Sequence, residues 1–176
     1  SLVLTGVLAA QKSAKNEPPD ILRTTTGTVE TGKLAGAFYR IDIPTKWNHS
    51  LIVYYHGYAE LPWTYHPTHS LLKQVLPAYE RGYAVLERGD SNTGWAIDEA
   101  LTDTEILRKY FVHKYGQPRE TILIGNSMGG LLTSITLERN AKPYAGGLDL
   151  CGSVGPTYEA FTRRFAARAA FDVYFP

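Results

Sequence analysis

Short apolar runs alternate along this chain with longer stretches whose apolar residues recur every three or four positions, a pattern of strands interleaved with helices. Ala37 to Ile43 (AFYRIDI) sets Phe38, Arg40 and Asp42 against Tyr39, Ile41 and Ile43, which predicts a half-buried antiparallel strand. Thr28, Val29 and Thr31, just before Gly32, suit a strand ahead of it. Leu51 to Tyr55 (LIVYY) is a continuous β-branched and aromatic run, as expected of a strand buried on both faces. A helix is predicted over His69 to Arg81, with Leu71, Leu72, Val75 and Leu76 on one side, a kink or restart at Pro77 and an end at Gly82. Tyr83 to Glu87 then reads as a strand. A second helix is predicted over Asp103 to Tyr115, where Thr102 and Glu105 have capping-box spacing, Ile106, Leu107, Tyr110 and Phe111 form a stripe, and Gly116 stops it. The strand Thr121 to Ile124, a helix from Met128 to Asn140 and the strand Ala145 to Leu150 follow. Such alternation predicts an α/β fold with a mostly parallel sheet and leading antiparallel strands. Finally, Thr157 to Phe175 places Tyr158, Phe161, Phe165 and Ala169 at helical spacing, so an amphipathic helix is expected there.

Residues 12–23 (KSAKNEPPDILR) are polar with a proline pair and predict an extended linker. The first eleven residues (SLVLTGVLAAQ) read either as the tail of a signal peptide or as a first strand. Composition adds limits rather than direction. With 176 residues, 44% of them hydrophobic, the chain can bury the core of one domain. A net charge of +1 argues against a nucleic-acid backbone as partner. No apolar run approaches the roughly 20 residues of a membrane span. The single cysteine, Cys151, excludes an internal disulfide and a cysteine-rich metal site, and it is expected to be a small buried hydrophobe. A secreted or periplasmic location is favoured slightly over the cytoplasm. The tripeptide Arg88-Gly89-Asp90 resembles an adhesion motif but is too short to carry weight.

The chemistry lies in Gly125-Asn126-Ser127-Met128-Gly129, which fits G-x-S-x-G. Here the motif directly follows a predicted strand and opens a predicted helix, the setting in which a serine is thrown above a sheet on a sharp turn. The flanking glycines leave room for that turn, and the helix N-terminus favours developing negative charge at the same point. Ser127 is therefore the expected nucleophile. A second element, Tyr54-Tyr55-His56-Gly57-Tyr58, ends a buried strand. An oxyanion hole needs two backbone N–H groups aimed at one point. Met128 should supply one and Tyr58, or alternatively Gly57, the other. His56 is expected to hold its loop through hydrogen bonds. Asp90, Ser91 and Asn92 follow a strand end and are candidates for a pocket rim, although turn chemistry explains them equally well.

In these elements the chain resembles the α/β-hydrolase superfamily, particularly bacterial serine esterases with a single HG loop. The resemblance rests on the leading hairpin, LIVYYHG, RGYAVLERGDSNTGW, QPRETILIGNSMGG and GGLDLCG, and spans about Gly27 to Gly155. It implies an N-terminal extension (1–25), an incomplete hydrolase core (26–155) and the start of a helical cap (156–176), in which Tyr158, Phe161 and Phe165 either wall a pocket or pack on the sheet. It further implies a carboxylic ester hydrolase with no metal or organic cofactor, a small-molecule ester as substrate, and a Ser-His-acid triad whose acid and histidine follow the serine.

No histidine follows Ser127: all five (His49, His56, His66, His69 and His113) precede it. A serine without a base is a poor nucleophile. The base and acid are thus expected from the remaining C-terminal portion of the hydrolase, in a second chain or in sequence beyond this segment. A peptidase, an acyltransferase or a non-catalytic binding protein of the same fold stays open. Asp149 is a lesser candidate for the acid, its place inside the last strand suiting a buried structural role better.

Overall fold

The computed structural model describes residues 16–175. The readings of residues 1–11 lie outside them. Strands β2 (Gly27–Leu34) and β3 (Ala37–Pro44) form the expected hairpin. Its two-residue turn, Ala35 and Gly36, has positive φ at both positions (52° and 93°), which matches the twist of the flanking strands. Gly32 does not end β2. It lies opposite Tyr39, and a Cβ there would press on the Tyr39 ring at 2.9–3.0 Å, so the glycine makes room for the cross-strand aromatic.

The predicted linker is instead a strand, β1 (Glu17–Arg23), paired antiparallel with β2 at the sheet edge. The register shifts between Glu17 and Asp20, where the proline pair sits. Prolines cannot donate to a ladder but are tolerated at an edge and at such irregularities. The sheet therefore begins before residue 26.

Strand β4 (Ser50–Tyr55) is buried throughout, as its run of apolar residues predicts. The expected helix over 69–81 shrinks to α1 (Leu76–Glu80), with Pro77 in its first turn. A proline interior to a helix removes a hydrogen bond and clashes with the preceding turn, so the chain before it turns without helix and Pro77 opens the helix rather than kinking it. Strand β5 (Ala84–Arg88) follows. Helix α2 spans Ile97–Tyr115 and starts six residues before the expected Asp103. Thr102 is no cap. Asp98 and Glu99 occupy the first turn, where carboxylates suit the helix dipole. Asp103 and Thr104 are polar yet buried, because they face Arg88. Strand β6 (Glu120–Asn126), helix α3 (Met128–Asn140), strand β7 (Gly146–Leu150) and helix α4 (Thr157–Tyr174) complete the described residues.

The sheet order is β1-β2-β3-β5-β4-β6-β7, with β4, β5, β6 and β7 mutually parallel and the first three strands antiparallel. One face carries Leu51, Val53, Tyr55 and Leu86 against Leu107, Phe111 and Leu132 of the helices. The other packs Ile52, Tyr54 and Val85 on Val75 and Ala78. The half-buried alternation expected of β3 is not observed, since Arg40 and Asp42 are as buried as Tyr39 and Ile41. Arg40 offsets the cost by donating to Asp42 from Nε (2.6 Å) and Nη2 (2.8 Å), and from Nη1 to the carbonyls of His66 (3.2 Å) and His69 (2.6 Å). No described helix is long and apolar enough to cross a membrane.

Candidate active site

Strand β4 lies between β5 and β6, and the segments leaving the carboxyl ends of these three strands meet above the sheet. Ser127 stands between β6 and α3 with φ 56° and ψ −119°, a backbone conformation that side chains other than glycine rarely adopt. Three contacts hold it there. Its N–H donates to the Leu150 carbonyl at the end of β7 (2.9 Å), and its carbonyl accepts from Gly130 N–H (2.9 Å) and Leu131 N–H (3.3 Å). The glycines on either side are sterically required. A Cβ on Gly125 would overlap the Gly129 carbonyl, and one on Gly129 would overlap the carbonyls of Tyr55 and His56. The elbow is thus pressed directly onto the end of β4. The Ser127 side chain is exposed, whereas Met128, first residue of α3, is buried. As that first residue, Met128 has an N–H without an intrahelical acceptor.

The loop after β4 runs beside the serine. A Cβ on Gly57 would lie 3.4 Å from both the Ser127 Cβ and the Asn126 carbonyl oxygen. The next residue, Tyr58, is 52% exposed. His56 turns inward instead. Its Nδ1 lies 2.5 Å from the Gly57 carbonyl oxygen and its ring stacks on Trp63, with centroids 4.8 Å apart. Its Nε2 sits 3.5 Å from a carboxylate oxygen of Asp90. Burial pushes its pKa below the ordinary imidazole value, against the pull of the Asp90 carboxylate, so the ring is neutral near pH 7.

Asp90 does not present its charge to a pocket rim. It is bonded by Arg88 Nη2, and only 8% of its side chain is exposed. Arg88 also donates to Thr104 Oγ1 (2.9 Å), Asp103 (3.1 Å), the Gly89 carbonyl (2.8 Å) and the Ala100 carbonyl (2.8 Å). The adhesion-like tripeptide is therefore folded inward. Ser91 donates its N–H to Asp103 (3.0 Å) and Asn92 bonds Glu99 (3.2 Å), both of them turn and helix-anchoring contacts. Sequence reasoning missed Arg88 and Asp103, which tie this loop to α2. The only signal was a charged residue closing an apolar strand.

Two expectations are corrected. Asp149 is exposed, not buried, and its carboxylate accepts from Gly152 N–H (2.6 Å) and Ser134 Oγ (3.3 Å). It braces the turn after β7, where Gly130 and Gly152 crowd against it. Cys151 is also exposed, with φ 57°, because that turn swings it off the sheet. On α4, Tyr158, Phe161 and Phe165 are 80%, 58% and 75% exposed, so they do not pack on the sheet.

The sequence matches no family profile and no curated protein. Solved structures do match. Esterase Pf2001 of Pyrococcus furiosus superposes with a TM-score of 0.51 at 17% identity, over 80% of this chain and 52% of that one. Est1E of Butyrivibrio proteoclasticus, with ferulic acid bound, gives 0.51 at 17% identity, over 71% and 50%. The chain has the α/β-hydrolase fold. It spans about half the length of these two α/β-hydrolase structures. Within that fold, the elbow and the loop after β4 occupy the carboxyl ends of adjoining parallel strands, where open α/β sheets bind ligands.

Proposed function

We propose that this chain is the nucleophile-bearing part of a serine hydrolase that cleaves carboxylic esters. The observation that carries this reading is the geometry of Ser127, an exposed side chain on a positive-φ turn between a buried strand and the N-terminus of a helix. In this reading Ser127 Oγ attacks the ester carbonyl carbon while a histidine from outside this segment takes its proton. Met128 N–H and Tyr58 N–H, with Gly57 N–H as the alternative, hold the oxyanion of the tetrahedral intermediate. Collapse breaks the bond to the alkoxy group, which leaves with the proton from the histidine. Water then attacks the acyl-serine by the same route and releases the acid. No metal or organic cofactor enters. The C-terminal portion of the hydrolase supplies the histidine and its acid, and the exposed Tyr158, Phe161 and Phe165 offer an apolar wall to an acyl group.

A fluorophosphonate probe tests this in the assembly that contains the complete triad. Labelling should fall on Ser127 and vanish in Ser127→Ala, with p-nitrophenyl ester hydrolysis lost in parallel. An unlabelled Ser127 would instead make the protein a binding scaffold built on the same fold.

A further inference from the structure

His66 and His69 are the two ends of one tight turn, in which His69 N–H donates to the His66 carbonyl (3.1 Å). Pro67 sits second in that turn, where its fixed φ suits the bend. The sheet ties the turn down. Arg40 Nη1 donates to the His66 carbonyl (3.2 Å) and to the His69 carbonyl (2.6 Å), and Arg40 is itself buried and gripped by Asp42. The backbone that carries these two imidazoles is therefore fixed, although both residues are exposed.

Their rings lie against each other, with centroids 5.0 Å apart and planes at 65°. An imidazole nitrogen binds a zinc-like ion at about 2.0–2.1 Å, so two rings sharing a tetrahedral ion have centroids roughly 5 Å apart. Small rotations of the rings about Cβ–Cγ bring a nitrogen of each to such a point without moving the backbone. Both rings also border a cavity of about 100 Å³, together with Tyr65, Ser70 and Glu87. A water takes up about 30 Å³, so there is room for an ion with about two waters. Asp42 neutralises the Arg40 guanidinium, and the other charged group at the cavity is the Glu87 carboxyl, so the local field does not oppose a cation. Among the described residues no third histidine, cysteine or carboxylate joins the pair as a ligand. We propose that His66 and His69 form a two-histidine site for a borderline divalent transition-metal ion, with water completing the coordination. Imidazole suits copper, nickel and zinc, whereas magnesium and calcium require oxygen ligands. The site does not depend on the hydrolase reading, because neither histidine serves Ser127.

The test titrates the full chain, free of any affinity tag, with Cu²⁺, Ni²⁺, Zn²⁺ and Mg²⁺ near neutral pH and follows the heat of binding. One equivalent of each transition metal should bind, Cu²⁺ more tightly than Ni²⁺ or Zn²⁺, while Mg²⁺ gives no heat. His66→Ala and His69→Ala should each weaken Cu²⁺ binding at least about tenfold, since the second imidazole no longer binds within the same molecule. Both variants keep the backbone carbonyls that Arg40 holds, so the turn stays in place. His113→Ala, on α2, should leave the affinity unchanged. Electron paramagnetic resonance of the Cu²⁺ complex gives a reading that needs no variant, and two coupled imidazole nitrogens are expected. No binding of any transition metal at millimolar concentration, an affinity indifferent to both alanine variants, or a single coupled nitrogen would each overturn the site.

Discussion

A methyl group at position 129 would fall on the backbone carbonyls of Tyr55 and His56, which are fixed in or beside a central strand. Carbonyls held in this way cannot swing aside as a flexible side chain does. Gly129→Ala should therefore cost at least about 3 kcal/mol, the upper part of the overpacking range, and lower the urea midpoint accordingly. Glu87 makes the opposite prediction. It is 2% exposed, its Oε1 has no hydrogen-bond partner among the described residues, and burial with the nearby Asp42 carboxylate pushes its pKa from 4.5 to about 7, despite Arg40. The folded state thus holds this proton more tightly than the unfolded chain. The contribution of Glu87 is unpenalised below about pH 4.5, worsens as pH rises, and levels off above about pH 7. Glu87→Gln should flatten that slope and stabilise the protein on the order of 3 kcal/mol at pH 8, read from urea unfolding at several pH values.

At the scale of elements, β2 and α2 are joined by one carboxylate. Glu30 is fully buried and accepts from Tyr39 (2.8 Å), Tyr110 (2.6 Å), Lys114 (2.8 Å) and Tyr115. Burial pushes its pKa up, but Lys114 and the three hydroxyls outweigh this and hold it below the ordinary carboxylate value. Its stabilisation is present above pH 4.5 and is lost as pH falls through the lower folded value. Glu30→Ala, which strands these donors, should cost about 3–5 kcal/mol, and the loss should shrink in acid. None of this was legible in the sequence, where nothing near Glu30 marks the partners that α2 brings to it. Legibility followed local causes. Helix α3 runs from Met128 to Asn140, as its motif and pattern predict, and β4 follows its apolar run. The expected Ser127 and Gly57 do lie side by side. Where tertiary partners decide, the reading failed. Thr102 and Glu105 suggested a helix start at Asp103, yet Asp103 and Thr104 are interior residues of α2 turned to Arg88, and Pro18 and Pro19 suggested a linker where β2 supplies a strand partner.

For the whole molecule the asymmetry of the sheet matters. Edge strand β1 carries a proline pair and a register shift, both of which discourage further pairing. Among the described residues the opposite edge is β7, which carries neither a proline nor a register shift. Leu148 is 51% exposed there, and the aromatic residues of α4 are open nearby in sequence. Expressed alone, the chain should self-associate with rising concentration, and Leu148→Lys should shift sedimentation toward monomer. An unaltered distribution in the lysine variant would acquit that edge.

The order of strands also sets a sequence of events. Leu51 of β4 lies beside both Ala84 and Thr121, so the central strand gains its neighbours only after two long stretches of chain have been threaded back to it. The leading hairpin, closed by Ala35 and Gly36, needs no such closure and can form early. Non-local pairing of this kind slows folding, because loop entropy is lost before the contacts return it. The loop bearing His56 and the turn bearing Ser127 meet only when β4 and β6 have joined. In the complete hydrolase proposed above, labelling of Ser127 should therefore be among the last properties to recover on refolding, trailing the return of hairpin structure.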